Sequence, residues 1–376
     1  MIIGKDKLKV TFVCPPENLS GGNRVVAIYA DQLTRRGCEV VVVTAKPTSL
    51  SLRERLRSLV GRRASLPRHL EKERSYYRNA SFKVHRINHA GPINDADLPD
   101  ADVLIATWWE TAEWVWAASG SKGVKLHFMQ DYETWGAGDG NVARVDASVA
   151  LPIPKIVIAQ WVADLLEKRW AQTPIALVPN SVETDLFFAP PRGKQSIPTV
   201  GFAYRTMRNK GCDIIVSAIE RARKLQPNLR VMAFGLERPV SSIPLPRCTQ
   251  YYFRIEDEKL RNVYAACDAW LFGTRVEGFG LPLLEAMACR TPVIGTPAGA
   301  ASTLIRQGGG ILVDLEDDAG MCTAILRVAM MADAEWRAMS DAAYGTAHTY
   351  TWCDAAEKFE AALRQAVAGE KSFLAP

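Results

Sequence analysis

Several signatures are missing from this chain. Its eight cysteines are scattered, with no Cys-x-x-Cys pair, and its five histidines offer no partners at metal-ligating spacing. That excludes a disulfide-stapled secreted domain and a zinc module, and it fits reduced core cysteines of a cytoplasmic protein. No apolar run reaches the ~20 residues of a membrane span. Met1 to Lys9 are polar and lead straight into a strand, so no signal peptide is expected. Gly-x-Gly-x-x-Gly is absent after the first strand, which argues against a nicotinamide dehydrogenase. A large excess of either charge is lacking as well: Lys and Arg number 46 against 41 Asp and Glu. A net charge of +5 over 376 residues fits an anionic small ligand or an anionic membrane surface and does not require nucleic acid.

What is present reads as an α/β protein. The length exceeds the roughly 250–300 residues at which one core stops growing, so two domains are expected. Leu8 to Val13 reads as a buried strand, Pro15 to Gly22 as a loop, Val25 to Arg36 as a helix stopped by Gly37, and Glu39 to Thr44 as a second strand. This is a βαβ unit, and a parallel sheet follows from it. Gly21 and Gly22 either let the chain turn or let its backbone approach a ligand, with the helix start offering N–H groups to an anion. Further strands are predicted at Asp102 to Thr107, Val124 to Met129, Lys155 to Ala159 and Ile175 to Val178.

Between these lies a basic stretch, residues 50 to 78. Arg53, Arg55, Arg57, Arg62, Arg63, Arg68, Lys72, Arg74 and Arg78 stand against only Glu54, Glu71 and Glu73. With Leu52, Leu56, Leu59 and Val60 at helical spacing, it reads as an amphipathic segment for anionic lipid or as a solvated helix or loop. Trp108, Trp109, Trp114 and Trp116 are either core or a platform for sugar rings. Gln130, Asp131 and Glu133 follow a strand, where open α/β sheets bind ligands, and Asp131 serves equally well as a turn cap. Asp95-Ala-Asp97 and Asp100-Ala-Asp102 fit a metal-binding Asp-x-Asp pattern, but in an Asp/Pro-rich loop they read as turn chemistry, and no metal is expected.

The second half repeats the pattern after Ala189 to Pro198, whose prolines and glycine suit a linker. A strand at Thr199 to Ala203 precedes Arg205, Arg208, Lys210 and Gly211, then a helix. Arginine and lysine there either grip phosphate oxygens or are ordinary surface charge. The most informative run is Glu277-Gly-Phe-Gly-Leu-Pro-Leu-Leu-Glu285, following a strand at Ala269 to Phe272. Pro282 suits a first helical turn. Glu285, on the second turn, suits two vicinal hydroxyls, as does the ribose-binding acid of dinucleotide folds. Glu277 lies at the turn beside Gly278 and Gly280. Together these features point to group transfer from an activated sugar.

The chain here resembles the retaining GT4 glycosyltransferases, over nearly its whole length. The resemblance rests on Glu277 and Glu285 as a Glu-x7-Glu motif, on Val178 to Phe187 as a Pro-Asn-Gly-Val-Asp-like segment and on Ser20-Gly21-Gly22. Arg205 with Lys210-Gly211, and Thr351-Trp352 opening a last helix, complete it. It implies the GT-B fold, two Rossmann-like domains with parallel sheets facing an interdomain cleft. Residues 1–190 would form the acceptor-side domain and 191–350 the donor-binding domain, with 351–376 a helix crossing back. Arg205 and Lys210 would hold the diphosphate and Glu285 the ribose. Glu277 and the amides of Phe279 and Gly280 would hold the sugar, Gly278 and Leu281 would also bind the donor, Arg254 and Ile255 would meet the base, and Gly21 and Gly22 would approach the diphosphate. Gln130, Asp131, Glu133 and Trp108 would lie on the acceptor side.

Gly273-Thr274 departs from the family's Pro-Ser, and Gln130-Asp131 stands where many members place a histidine. The Phe-x-Gln-Asp-Tyr-Glu run is similar to one in some bacterial rhamnosyltransferases of this family. The resemblance implies metal-independent transfer of a sugar from a nucleoside diphosphate to a glycan or lipid-linked acceptor, with retention, in bacterial polysaccharide or cell-envelope synthesis. It implies no cofactor, and a cytoplasmic protein that is peripheral on the membrane if the basic segment binds lipid. The other readings are a nucleotide-sugar epimerase of the same fold and a non-catalytic nucleotide-sugar-binding partner.

Overall fold

The computed structural model describes residues 7–46, 75–137 and 140–374. The basic side chains from Arg53 to Arg74 lie outside the described residues. The described chain divides into two compact units.

In the first unit, β1 (Lys9–Cys14), α1 (Gly21–Arg35), β2 (Glu39–Thr44), β3 (Lys83–Arg86), β4 (Val103–Ala106) and α2 (Trp109–Ala117) are followed by β5 (Val124–Met129) and α3 (Thr134–Ala137). Then come α4 (Val142–Ala150), β6 (Lys155–Val157), α5 (Gln160–Trp170), whose residues up to Trp161 belong to the second unit, and β7 (Ala176–Leu177). The strands form one parallel sheet in the order β3-β2-β1-β4-β5-β6-β7. Val, Ile and Leu bury the central strands on both faces, as a helix-covered parallel sheet demands. Ser20, not a loop glycine, starts α1. Its Oγ accepts from the Asn23 N–H at 3.4 Å, so Gly21 and Gly22 form the first helical turn.

The second unit runs β8 (Thr199–Ala203), α6 (Cys212–Leu225), β9 (Arg230–Gly235), β10 (Gln250–Phe253), α7 (Asp257–Ala265), β11 (Ala269–Phe272), α8 (Leu281–Ala288) and β12 (Val293–Gly295). It continues through α9 (Ala301–Leu304), β13 (Gly310–Leu312), α10 (Asp318–Met330) and α11 (Asp333–His348). Its parallel sheet is ordered β10-β9-β8-β11-β12-β13. Each unit is therefore an α/β layer of the Rossmann type. The last helix, α12 (Trp352–Leu374), leaves the second unit after Ala355 and belongs to the first from Ala356 onward. There Phe359 stands 4.5 Å from the Tyr29 ring and 5.0 Å from Phe128.

The change of unit falls between Val178 and Pro179, ahead of the proline-rich stretch read as a linker. That stretch is docked on the second unit. Arg192 donates to Cys267 O at 2.5 Å and Thr291 Oγ1 at 3.0 Å and covers the Trp336 ring, and Lys194 Nζ donates to Met331 O at 2.9 Å. Among the described residues, no helix is long and apolar enough to cross a membrane.

Both sheets reverse strand order at one place, between β1 and β4 in the first and between β8 and β11 in the second. The loops leaving these strands at their carboxyl ends part there and leave room for a ligand. Ser20–Gly22 and Trp108 follow β1 and β4. Arg205–Gly211 and Gly273–Gly280 follow β8 and β11.

Candidate functional site

In the second unit, the two switch-point loops are in backbone contact. Gly211 has φ +62°, and a Cβ there would meet Gly273 O at 1.7 Å, so only glycine fits. The Arg275 and Val276 N–H groups donate to Asn209 O at 2.8 and 3.3 Å. Across this contact Lys210 Nζ donates to Glu277 Oε2 at 2.9 Å, with 24% and 22% of the side chains exposed. Half-open ion pairs of this kind add little stability, so the pair is better understood as placing two opposite charges at one spot. Arg205 opens the first loop. Its N–H donates to Cys212 Sγ at 3.2 Å and its guanidinium to Tyr204 O at 3.1 Å.

Gly280 caps α8 with φ +104°, and a Cβ there would stand 3.1 Å from Phe272 Cζ. Gly278, Phe279 and Gly280 are buried and Leu281 is half-buried. The Gly278 carbonyl accepts from Trp161 Nε1 at 2.8 Å, and the Phe279 carbonyl accepts from the Ala300 N–H at 2.9 Å. Four residues into α8, Glu285 is 5% exposed and accepts from the Tyr264 hydroxyl at 2.7 Å. It is a buried carboxylate held by a neutral hydroxyl donor, not a surface residue. Tyr264 and Trp161 have no motif of their own. In the sequence each is one more apolar position of a helix.

Arg254 and Ile255 follow β10, two strands from the switch point. Arg254, at φ +54°, donates its N–H to Gly235 O at 2.8 Å and Nε to Leu236 O at 3.1 Å, which ties the ends of β9 and β10 together.

In the first unit, Gln130 Nε2 donates to Gly22 O at 3.4 Å. Gly22 has no positive φ, and a Cβ there would stand 3.8 Å from the nearest atoms, an ordinary contact. Neither turning nor packing among the described residues requires glycine there. Asp131 accepts from Trp135 Nε1 and from the Tyr132 N–H, both at 2.8 Å, so it does cap the local turn. Glu133 is 3% exposed and accepts from the backbone of Trp109, at the start of α2. Burial, and then the neighbouring Asp131, push its carboxyl well above the ordinary carboxylate range. Trp108 is half-buried and meets the Trp135 ring edge-on at 6.0 Å, whereas Trp109 is core.

The Asp-rich loop is turn chemistry. Asn94 caps a turn through the Ala96 N–H, Asp97 accepts from the Asn94 N–H at 2.9 Å, and Asp102 accepts from the Lys9 N–H at 2.8 Å.

Residues 187–343 match the family described as Glycosyl transferases group 1. The matched stretch lies within the second unit. It includes Arg205, Lys210, Glu277 and Glu285. The D-inositol 3-phosphate glycosyltransferase of Corynebacterium jeikeium is 28% identical over 225 residues, 53% of this chain and 54% of that protein. The chain thus matches about half the length of that relative. Among solved structures, sucrose-phosphate synthase from Thermosynechococcus elongatus superposes with a TM-score of 0.74 at 18% identity, covering 96% of this chain and all of that one. Anabaena HepE in complex with UDP and glucose gives 0.69 at 14% identity, over 95% of this chain and 99% of that one. At such identities the likeness is one of fold, and the fold is GT-B. The GT4 resemblance in the sequence agrees with the family match.

Proposed function

We propose that the protein transfers a sugar from a nucleoside diphosphate-sugar to a hydroxyl of a glycan or lipid-linked acceptor, with retention of configuration and without a required metal or resident cofactor. The observation that carries this is the second-unit switch point, where Lys210 and Glu277 meet at 2.9 Å and Glu285 is buried one helical turn beyond the Gly280 cap. Lys210 and Arg205 supply positive charge for a leaving diphosphate, as a metal would otherwise do. Glu285 accepts from ribose hydroxyls, and Glu277 with the amides of Phe279 and Gly280 orients the sugar. The acceptor oxygen attacks the anomeric carbon as its bond to the diphosphate breaks, and the departing phosphate oxygen takes the acceptor proton. No protein nucleophile is needed in that route. Gly22, where packing leaves room for a Cβ, suits close approach of a phosphate or acceptor to the start of α1. Gln130, Asp131, Glu133 and Trp108 serve the acceptor, and Arg254 and Ile255 the base.

The setting is cytoplasmic, in bacterial polysaccharide or envelope glycan synthesis. The basic residues between 50 and 78 hold the protein to anionic lipid, so replacing Arg53, Arg55, Arg57, Arg62 and Arg63 should lower binding to anionic vesicles.

The test incubates UDP-, GDP- and dTDP-sugars with the protein, with EDTA or magnesium, and with or without a glycan acceptor. Transfer in EDTA with retained configuration, read by proton NMR of the product, supports the reading. Sugar isomerised without acceptor would replace it with an epimerase. Binding of the donor with no chemistry under any condition would replace it with a non-catalytic partner. Lys210→Ala should cut turnover sharply, and normal turnover would remove Lys210 from the site.

A further inference from the structure

Arg275 lies in the Gly273–Gly280 switch-point loop and belongs to none of the motifs above. All five of its guanidinium N–H groups are engaged. Nε donates to Glu316 Oε1; Nη2 donates to Glu316 Oε2 and Asp213 Oδ2, each at 2.8 Å; Nη1 donates to Asp213 Oδ1 at 2.8 Å and to Arg208 O at 2.6 Å. Only an arginine has five donors in one rigid plane, so a lysine cannot make this set. Its own N–H and that of Val276 hold Asn209 O. The segment Arg208–Asn209, one residue before Lys210, is therefore gripped from the segment one residue before Glu277.

Stability alone does not account for this arrangement. Asp213 and Glu316 are about half exposed, at 45% and 55% of their side chains, so solvent screens the network and limits what even bidentate pairs add to folding. Glu316 moreover sits at φ +61°, a backbone conformation unfavourable for a residue with a Cβ. The chain accepts that strain and brings together groups from four separate places: the loop after β8, the start of α6, the loop after β11 and the loop after β13. What the set fixes is the position of the Lys210 loop against the Glu277 loop.

We infer that Arg275, anchored by Asp213 and Glu316, is a positioning residue that sets Lys210 for the diphosphate of the donor. This rests on the function proposed above. Arg275 touches no substrate group in this role. It holds the carbonyls of Arg208 and Asn209 so that the ammonium two residues on meets the phosphate and Glu277 together. The effect belongs to the diphosphate part of the ligand, not to its nucleoside.

The experiment measures binding of UDP, GDP and dTDP, and of UMP, GMP and dTMP, by calorimetry to the wild type, Arg275→Lys and Glu316→Gln. Thermal unfolding of each is recorded alongside. For the base that binds the wild type, Arg275→Lys should lose about tenfold or more in diphosphate affinity while its monophosphate affinity changes by less than about twofold. Glu316→Gln should move the same ratio in the same direction by a smaller factor. An unchanged ratio in both variants overturns the inference and leaves the proposed function standing. Equal loss for mono- and diphosphate, with a lowered melting point, makes Arg275 a structural residue and overturns it too. A wild type that binds none of the six nucleotides overturns the proposed function and this inference with it. If Arg275→Lys does not fold, the exposed Glu316→Gln carries the comparison by itself.

Discussion

Glu285 and Gly211 show how much a single residue can depend on partners far away in sequence. Glu285 is readable as part of the Glu-x7-Glu run, but its 5% exposure and its bond from Tyr264 are properties of the folded chain. Removing the carboxylate by Glu285→Ala should weaken nucleoside diphosphate binding by about 1–3 kcal/mol, measured by calorimetry. Unchanged affinity would take Glu285 out of the proposed ribose site. Tyr264→Phe leaves the buried carboxylate short of a donor and should cost about 1–3 kcal/mol of stability in urea unfolding. At Gly211, a Cβ would lie 1.7 Å from Gly273 O, at a φ of +62°. Gly211→Ala should destabilise the second unit by more than ~1 kcal/mol and part Lys210 from Glu277, seen as lost turnover with a lower melting point. Normal values for both would mean the two loops are not packed together.

Among the elements, β5 carries the clearest pH sensor. His127 is 1% exposed, neither ring nitrogen has a hydrogen-bond partner among the described residues, and it faces Lys155 across the β5–β6 pairing. Burial, then the Lys155 charge, push its pKa down to about 3. In the unfolded chain a histidine binds its proton near pH ~6.5. Between those two values the unfolded state binds more protons than the native one, so stability is full above pH ~6.5 and falls as pH drops toward 3. His127→Leu should flatten that slope and raise stability at pH 5 relative to the wild type. Urea midpoints at pH 5 and pH 7.5 check this, and an identical slope in both proteins rules out His127 as its source. The strands that the sequence does not reveal, β3, β10 and β13, are all sheet edges. They are short, and an edge needs less apolar cover than a central strand, so Lys83–Arg86 carries no apolar run to find. The central strands β1, β2, β5, β8 and β11 do carry one, and the sequence places them within a residue.

For the whole molecule, the consequential element is α12, one continuous helix that starts in the second unit and ends in the first. Phe359 is fully buried among Tyr29, Phe128 and Phe12. Phe359→Ala should destabilise the first unit by about 3–5 kcal/mol. Calorimetric unfolding should then show an early first-unit transition, while nucleotide still raises the melting of the second. A single unshifted transition would mean that the helix does not carry the first unit's core.

The sequence by itself determined the α/β class, the two-domain count and the positions of Arg205, Lys210, Glu277 and Glu285, because buried strands and glycine turns leave local patterns in the chain. Only the tertiary structure decided the sheet orders, and with them the two switch points. It alone brought Tyr264 to Glu285, Trp161 to Gly278 and Asp213 and Glu316 to Arg275. These contacts join residues 21 to 117 positions apart. A hydroxyl, an indole or a carboxylate looks the same in the chain whether it meets water or a neighbour. Strand order and the approach of loops settle which it meets, and no local pattern encodes either.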